Sequence, residues 1–443
     1  MEDILNEVAI EKYSDYKNSG VEWLGDFPTH WKLTRANYIF KTINQRSSTG
    51  EEELLSVSEH HGVRPRSESN VSMFMAESYE GHKICDPGDL VINSLWAWSR
   101  GLGFSKYKGI VSTAYSVFRP NHNRYDQDYL NYLLRIEKYV AQYLIASKGI
   151  WISRLQLSDW SFLRLPILTP PKEEQIAIAR FLDTKTALID RAIAIKEKQI
   201  ELLKERKQTL VHDAVSRGLN RNVKIKKSGI ESIHYIPAHW QVKKLKYISE
   251  IHSGITLGKT YSSKNVRLFP YLRVANVQYG HFKLDDIAYL HLPLKEAEKY
   301  FVKKGDILVT EGGDLDKLGR GTVWNNEIKN CLHQNHVFAV RVDLSIVSPT
   351  YASILMESHY GREYFTRTAN KTTNLASTNS TKLGNFPLVL PPQEEMQVIQ
   401  EYIKKVDTSI QKTVSTIETE ISKLKEYKTT LINNAVTGKI KVT

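Results

Sequence analysis

Pro170-Pro171-Lys172-Glu173-Glu174-Gln175 and Pro391-Pro392-Gln393-Glu394-Glu395-Met396 are one phrase written twice, 221 residues apart. The residues after each copy decide the fold. Beyond the first, Ile189, Ile193, Lys196, Ile200, Leu203, Lys207, Leu210 and Ala214 recur at alternating steps of four and three. Beyond the second, Ile410, Val414, Ile417, Ile421, Leu424, Lys428, Leu431 and Ala435 repeat that register. A sustained four-three apolar seam with charges elsewhere predicts two coiled-coil helices. Proline suits a helix start because it lacks the amide that would go unpaired there, and two glutamates in the first turn favour the positive end of the helix dipole. A helix from Glu173 to Ser216 has 44 residues and spans about 66 Å at 1.5 Å per residue. Neither helix can bury its stripe alone, so each is the other's natural mate, and a twofold arrangement of the repeats makes the pair antiparallel. Lys207 and Lys428 fall at the same seam position. They read either as lysines snorkelling from the seam edge or as polar positions that fix register.

Moving outward, the duplication covers the whole chain. Ser19-Gly20-Val21-Glu22 leads to Pro28-Thr29-His30-Trp31, and Ser228-Gly229-Ile230-Glu231 leads to Pro237-Ala238-His239-Trp240, offset by 209. Between these anchors, Pro87-Gly88-Asp89-Leu90-Val91-Ile92 resembles Lys304-Gly305-Asp306-Ile307-Leu308-Val309, and Ser99-Arg100-Gly101 resembles Gly319-Arg320-Gly321. The second copy is thus 12 residues longer in its middle. A period this long belongs to tandem domains, each with its own core, and not to a solenoid. Short β-rich runs (Leu54–Val57, Leu90–Ile92, Ala114–Phe118; Tyr271–Val274, Ile307–Thr310, Val337–Val340) alternate with turn clusters, and one helix is expected over Asp128–Ala146, with its counterpart over Thr350–Thr366. The expected fold class is α/β (α+β): two tandem-repeat globular domains separated by two long antiparallel coiled-coil helices with pseudo-twofold symmetry.

Composition narrows the function. Two cysteines in 443 residues, Cys85 and Cys331, leave no disulfide framework or cysteine-rich zinc site and suggest a reducing compartment. The start MEDILNEVAI is not that of a signal peptide, and the longest uncharged run, Leu344 to Met356, is 13 residues, too short for a membrane helix. A cytoplasmic protein with no membrane association is expected. The net charge of +12 points toward nucleic acid but is uneven. Residues 1–18 carry −3, 19–165 carry +2, 166–227 carry +6, 228–386 carry +6 and 387–443 carry +1. A nearly neutral first domain argues against grip by bulk charge.

Catalytic constellations are scarce. Gly254-Ile255-Thr256-Leu257-Gly258-Lys259-Thr260 is one residue short of a phosphate-binding loop. Neither Pro-Pro pair carries the acidic or amide residue and the aromatic that amino-methylation of a base requires. Asp314-Leu315-Asp316-Lys317 is the nearest approach to a nuclease cluster, but a solvated acidic loop accounts for it. His333 and His336, or His60 and His61, have no cysteine or acidic cluster at ligand spacing. No metal site, cofactor or catalytic residue is therefore expected, and His30 and His239 read as packing and capping residues. The remaining signal is DNA contact. Arg100 and Arg320 sit in glycine-flanked turns just past predicted strands, where a guanidinium reaches a guanine edge. Lys106 and Lys108 come next in the first copy, and Lys317 lies beside Arg320 in the second. Lys148, Trp151 and Arg154 in one loop, and Lys371 and Asn374 in its counterpart, mix basic, aromatic and amide groups suited to phosphates and bases.

The paired Ser-Gly-(Val/Ile)-Glu…Pro-x-His-Trp starts, the Gly-Asp strands and the segment Leu165–Gln175 with its copy make the chain resemble the specificity subunit of Type I restriction-modification enzymes over essentially its full length. That resemblance implies a non-catalytic subunit in which residues 19–165 and 228–386 are target recognition domains, each reading half of a split target in double-stranded DNA. Residues 1–18 are then an N-terminal extension, and 166–227 and 387–443 the helical regions that set the spacing. It also implies docking of two methyltransferase subunits, with restriction subunits completing the complex. Met396, where the family usually has glutamine, is a departure that Gln175 does not share. A coiled-coil adaptor that reads no DNA explains the helices but not the duplicated basic domains. A self-sufficient methyltransferase or nuclease is the other alternative.

Overall fold

The computed structural model describes residues 11–59, 62–68, 78–151, 154–256, 258, 266–313, 318–371 and 376–442. The chain forms two compact units: unit 1 is residues 1–197 with 418–443, and unit 2 is residues 198–417.

Unit 1 is built on β1 (Lys32–Arg35), α1 (Ala36–Ile39), β2 (Phe40–Ile43), β3 (Leu90–Asn93), β4 (Leu102–Phe104) and β5 (Tyr115–Pro120). An antiparallel sheet runs in the order β2-β5-β3-β4, with Phe118 opposite Leu90 and Tyr115 opposite Asn93. All four residues of β3 are buried, as expected of a central strand covered on both faces. Two helices come after the sheet, α2 (Gln127–Leu134) and α3 (Glu137–Ala146), then the short α4 (Asp159–Leu163) and β6 (Pro166–Thr169), which pairs antiparallel with β1. The long helix α5 (Lys172–Arg217) starts directly after β6.

Unit 2 repeats this plan. β7 (Gln241–Lys244), β8 (Ser249–Ser253), β9 (Val266–Leu272), β10 (Ala288–Pro293), β11 (Ile307–Thr310), β12 (Gly321–Val323), β13 (Leu332–His333) and β14 (Val337–Val342) precede helices α6 (Pro349–Glu357), α7 (His359–Thr368) and α8 (Ser380–Gly384). β15 (Pro387–Leu390) then leads into α9 (Gln393–Val436). The sheet order β8-β14-β11-β12 matches that of unit 1, and β7 pairs with β15 as β1 pairs with β6. The longer middle of this copy contributes a second sheet, β10-β9-β13, packed over Phe269, Tyr271 and Leu292.

The single helices expected over Asp128–Ala146 and Thr350–Thr366 are each two helices. In unit 1 the break is at Arg135 and Ile136, where the Arg135 guanidinium turns inward to donate to the carbonyls of Leu102 and Glu59. In unit 2 it is at Ser358, whose hydroxyl oxygen accepts the Gly361 amide and caps α7. Apolar periodicity runs through both breaks, which is why it conceals them.

The long helices run close to the expected limits. In unit 1, Asp190 of α5 pairs with Lys428 of α9 (2.6 Å) and Lys196 pairs with Glu420. Residue numbers rise on one helix as they fall on the other, so the helices are antiparallel. Ile189, Ile193, Ile421, Leu424, Leu431 and Ala435 are buried at this seam. In unit 2, Lys207 pairs with Asp407; Ala214 and Ile417 are buried, and Ile200, Leu203, Leu210 and Val414 are half-buried. Both seam lysines therefore end on a carboxylate of the facing helix.

Candidate nucleic-acid interface

The two repeated phrases meet in space. In unit 1 the indole Nε1 of Trp31 donates to Glu174 Oε1 at 3.0 Å, and His30 Nε2 lies 2.9 Å from Glu174 Oε2. In unit 2 Trp240 Nε1 donates to Glu395 at 3.0 Å, with His239 at 2.8 Å. Each Pro-x-His-Trp thus grips the second glutamate of a Pro-Pro-x-Glu-Glu helix start. The same tryptophans receive the far end of the other long helix: Gly438 lies against Trp31 and Pro28, and Gly218 against Trp240. Both glycines have φ near +70°, the left-handed closure that a side chain disfavours. One indole per unit therefore locks the start of one helix to the end of its antiparallel mate. His30 and His239 are part of this lock.

A second lock holds the central strands. Asp89 and Asp306 are buried and accept bidentate bonds from Arg119 (2.7 and 2.8 Å) and Arg341 (2.8 and 2.7 Å). Gly88 and Gly305, at φ +90° and +91°, make the turn that aims each aspartate inward. Bonding to Asp89 and then Asp86 holds the Arg119 guanidinium charged despite partial burial. Arg119 and Arg341 repeat at an offset of 222, a signal that sequence reasoning missed, and their chemistry shows only once the fold closes.

From this frame hang the loops. The backbones of Lys148 and Gln156 bond to each other in both directions at 3.0 and 2.9 Å. The loop between them presents Ile150 and Trp151, 95% and 69% exposed, and an exposed Arg154. In unit 2, Asn370–Lys371 pairs with Ala376–Ser377 in the same place. Each loop is tied to the end of a central strand by one equivalent bond, Leu157 N to Ser94 O and Thr378 N to Glu311 O. Lys106 and Lys108 are exposed on the turn after β4, and Lys371 is exposed in its hairpin. Lys317 and Asn374 lie outside the described residues.

Arg100 and Arg320 differ from that set. Arg100, at φ +55°, donates from Nε to the Arg135 carbonyl and from Nη1 to Glu59, both at 3.2 Å. Arg320 donates to Gln278 Oε1 at 3.2 Å and to the Val274 carbonyl at 3.3 Å. Arg100 sits at the start of α3, whereas Lys148–Arg154 lies beyond its end. The ten residues of α3 put about 15 Å between them.

Groups are displaced from their ordinary values in both units, and in unit 2 they include a histidine and a glutamate that shift in opposite senses. Burial pushes His333 down to about 4, with a 2.7 Å bond from Nδ1 to the Val337 carbonyl opposing the shift. Burial pushes Glu357 up to about 7 against the opposing pull of the Ser353 hydroxyl, Lys207 and Arg362. Glu357 lines a cleft of about 860 Å³ between α6, α7 and the long helices. Burial also raises the thiols of Cys85 and Cys331, to about 11 and 12, so both are inert packing residues. Among the described residues no group of three or more His, Cys, Asp or Glu side chains is placed to hold a metal, and no helix is long and apolar enough to cross a membrane.

The two units thus share one frame, with the Trp-Glu and Asp-Arg locks in each, and carry different loops on it. Residues 237–423 match the Type I restriction modification DNA specificity domain. The chain is 26% identical over 368 residues to the Type I restriction enzyme MjaVIII specificity subunit of Methanocaldococcus jannaschii, covering 81% of this chain and 80% of that one. It is 24% identical over 265 residues to the EcoKI specificity subunit of Escherichia coli, covering 59% and 54%. Its fold is that of the HsdS subunit from Thermoanaerobacter tengcongensis, with TM-score 0.53, 16% identity and coverage of 94% and 98%. It also matches a chain from a type I R-M system structure concerned with complex assembly and conformational transition, with TM-score 0.69, 15% identity and coverage of 93% and 98%. With the duplicated motifs, these matches make residues 237–423 similar to a Type I restriction modification DNA specificity domain, and the chain similar to Type I restriction enzyme specificity subunits.

Proposed function

We propose that the chain is the non-catalytic DNA-specificity subunit of a Type I restriction-modification complex in the cytoplasm. Residues 19–165 and 228–386 each read one half of a bipartite duplex target, and the helical regions 166–227 and 387–443 set the distance between halves. Two methyltransferase subunits dock on the assembly and supply the chemistry, and restriction subunits complete it. The observation that supports this most is the contrast between a frame whose Trp-Glu and Asp-Arg locks are duplicated and loops at equivalent places whose sequences are not. Such a chain presents two different reading surfaces on one scaffold. Of the expected contact residues, Lys106, Lys108, Lys148, Trp151, Arg154 and Lys371 are the exposed set and are assigned to DNA. Lys317 and Asn374 are assigned with them on sequence alone, whereas Arg100 and Arg320 are engaged within the fold.

Methylome sequencing of the host with and without the gene tests the reading. A bipartite methylated motif is expected to disappear on deletion, and replacing residues 19–165 by another member's domain is expected to change one half-site only. An unchanged methylome, or a swap that alters both halves, overturns it. Four residues, about one helical turn, inserted into both long helices should lengthen the spacer and leave both half-sites intact.

A further inference from the structure

A protein that reads two different half-sites with two copies of one fold must vary the side chains that touch bases. The sugar-phosphate backbone is the same at both halves, so side chains that touch it are free to repeat. Phosphate contacts position a protein on DNA, and base contacts specify the sequence. Exposed side chains that recur at equivalent positions in the two units, with no structural task, are therefore candidates for the backbone contacts.

Most repeated residues do have a structural task. The segment from β1 into α1 and its equivalent after β7 illustrate the distinction. Ala36 and Ile39 are buried in unit 1, as Leu245 and Ile248 are in unit 2, and the Ala36 and Leu245 amides bond to the Leu165 and Phe386 carbonyls. The fold explains those positions. It does not explain Tyr38 and Tyr247, which repeat at the 209-residue offset of the His-Trp motifs and are 73% and 70% exposed. Three residues earlier, at the same backbone position in each unit, stand Arg35 and Lys244, both exposed. Among the described residues neither Arg35, Lys244 nor Tyr38 makes a side-chain hydrogen bond or ion pair, and Tyr247 meets only the ammonium of Lys246, 5.3 Å from its ring centre. Arg100 and Arg320, by contrast, are both engaged within the fold.

The surroundings suit an anion. Residues 32–41 carry three basic and no acidic side chains, and the equivalent residues 241–250 carry three basic and one acidic, Glu250 at the far end. For unit 1 this is a concentrated positive strip in a domain that is nearly neutral. The placement also fits: α1 packs on α4, and the equivalent turn Leu245–Tyr247 packs on α8. Helices α4 and α8 are the first elements after the exposed loops assigned to DNA.

We propose that Arg35 with Tyr38, and Lys244 with Tyr247, form one DNA-phosphate clamp in each unit, seating the duplex while the unlike loops read bases. The proposal rests on the DNA-specificity reading above and assigns it two sites that lie outside the loops.

The test uses the full-length chain, tagged and purified with the subunits it assembles with in its host, and a mixed-sequence DNA duplex as probe. Arg35→Gln and Lys244→Gln, combined with Tyr38→Ala and Tyr247→Ala, should weaken binding and lower the slope of log affinity against log salt by roughly 0.9 for each cation removed, about two in all. Arg35→Lys with Lys244→Arg keeps both charges and should retain the original slope, which separates lost contact from lost structure. Methylome sequencing should return the same bases in both half-sites. An unchanged salt slope, or a changed base in either half-site, overturns the clamp. Loss of partner subunits with the salt slope retained also overturns it and assigns the strip to protein docking. If the unsubstituted complex shows no salt-dependent DNA binding, the DNA-specificity reading itself fails.

Discussion

Unit 1 seats the start of its long helix with a polar side chain and unit 2 with an apolar one. Gln175 accepts the Asp126 amide at 2.8 Å and donates to the Pro170 carbonyl at 2.8 Å, stapling α5 to the cap of α2. Met396 at the same position is buried in the apolar core of unit 2, and the staple is remade one turn on, where the Ser348 hydroxyl donates to Gln400 at 2.8 Å. The same joint is thus kept by different atoms. The Trp-Glu and Asp-Arg locks, by contrast, are kept residue for residue. Such a hierarchy is what a scaffold needs when two reading surfaces diverge upon it. Side chains whose removal strands a buried partner are held fixed, and those with a local substitute drift.

The largest test of that contrast is removal of an indole. Trp31 and Trp240 are fully buried, and Trp→Ala at such sites costs about 3–5 kcal/mol. Each substitution also removes one hydrogen bond from its glutamate. Hydrogen exchange of Trp31→Ala is expected to show lost protection across residues 11–197 and 418–442 with residues 198–417 spared, and Trp240→Ala the reverse. Equal loss in both units would mean that they are not separate folding bodies.

Asp89→Asn and Asp306→Asn come next. Each carboxylate is buried, while its arginine is about a third exposed. Water therefore recovers part of the cation, and roughly 2 kcal/mol is expected from the fork lost. The effect should be alike in both units, in chemical denaturation followed by the same exchange readout. By comparison, Gln175→Met should be mild, because unit 2 already works with methionine there.

These locks mark the limit of what is legible in the sequence. Periodicity locates the helices closely: it predicts Glu173–Ser216 and the helix spans Lys172–Arg217, because a seam of many residues outvotes any single one. It fails at Arg135 and Ser358, where a single inward arginine and a single capping hydroxyl break a helix without interrupting the apolar pattern. The repeats mark His30, Trp31 and Glu174 as important but not as partners. A contact spanning 143 residues leaves no local trace, and only closure of the fold brings the two phrases together. At Arg100 the glycine-flanked turn likewise gives no sign of the Glu59 partner, which lies 41 residues away. Exposure is equally hidden, so Tyr38 and Tyr247 look like any tyrosine near a strand.

Acid exposes a smaller difference. Unit 2 holds two groups displaced in opposite senses. His333 falls from an ordinary 6.5 to about 4 on folding, so the unfolded chain binds the extra proton between those values. Its contribution is present above pH 6.5 and is lost as the pH falls toward 4. Glu357 rises from 4.5 to about 7, so the folded unit holds the extra proton. Its contribution is present below pH 4.5 and is lost as the pH rises through 7. Over pH 4.5–6.5 the two slopes oppose each other. Glu357→Gln removes one of them. The stability of unit 2 should then fall more steeply with acid below pH 6.5 and be higher than in the parent protein above pH 7. In unit 1, Arg135 stands at the equivalent helix break and does not titrate in this range, so its exchange rates should show neither change. A flat profile for Glu357→Gln would remove the account.

The smallest expected effects are at the seam lysines, and they sharpen the comparison most. Lys207 and Lys428 are equivalent by register, yet they pair with acids at non-equivalent positions, Asp407 and Asp190. Thr186 and Gln411 stand where exchange symmetry would put those acids. Both pairs are partly exposed, so methionine at either lysine should cost less than about 1 kcal/mol, the apolar stem and replacement packing offsetting the lost charge. Stability alone will therefore not distinguish them, but the titration of Glu357 will. Lys207 is one of the groups that pull the Glu357 carboxyl downward. Lys207→Met should raise the Glu357 titration further above 7, as followed by carboxyl NMR shifts, whereas Lys428→Met, which belongs to unit 1, should leave it unmoved. If both substitutions shift Glu357, the acid senses the helix pair as a whole, and the lysines act as one register device instead of two local ion pairs.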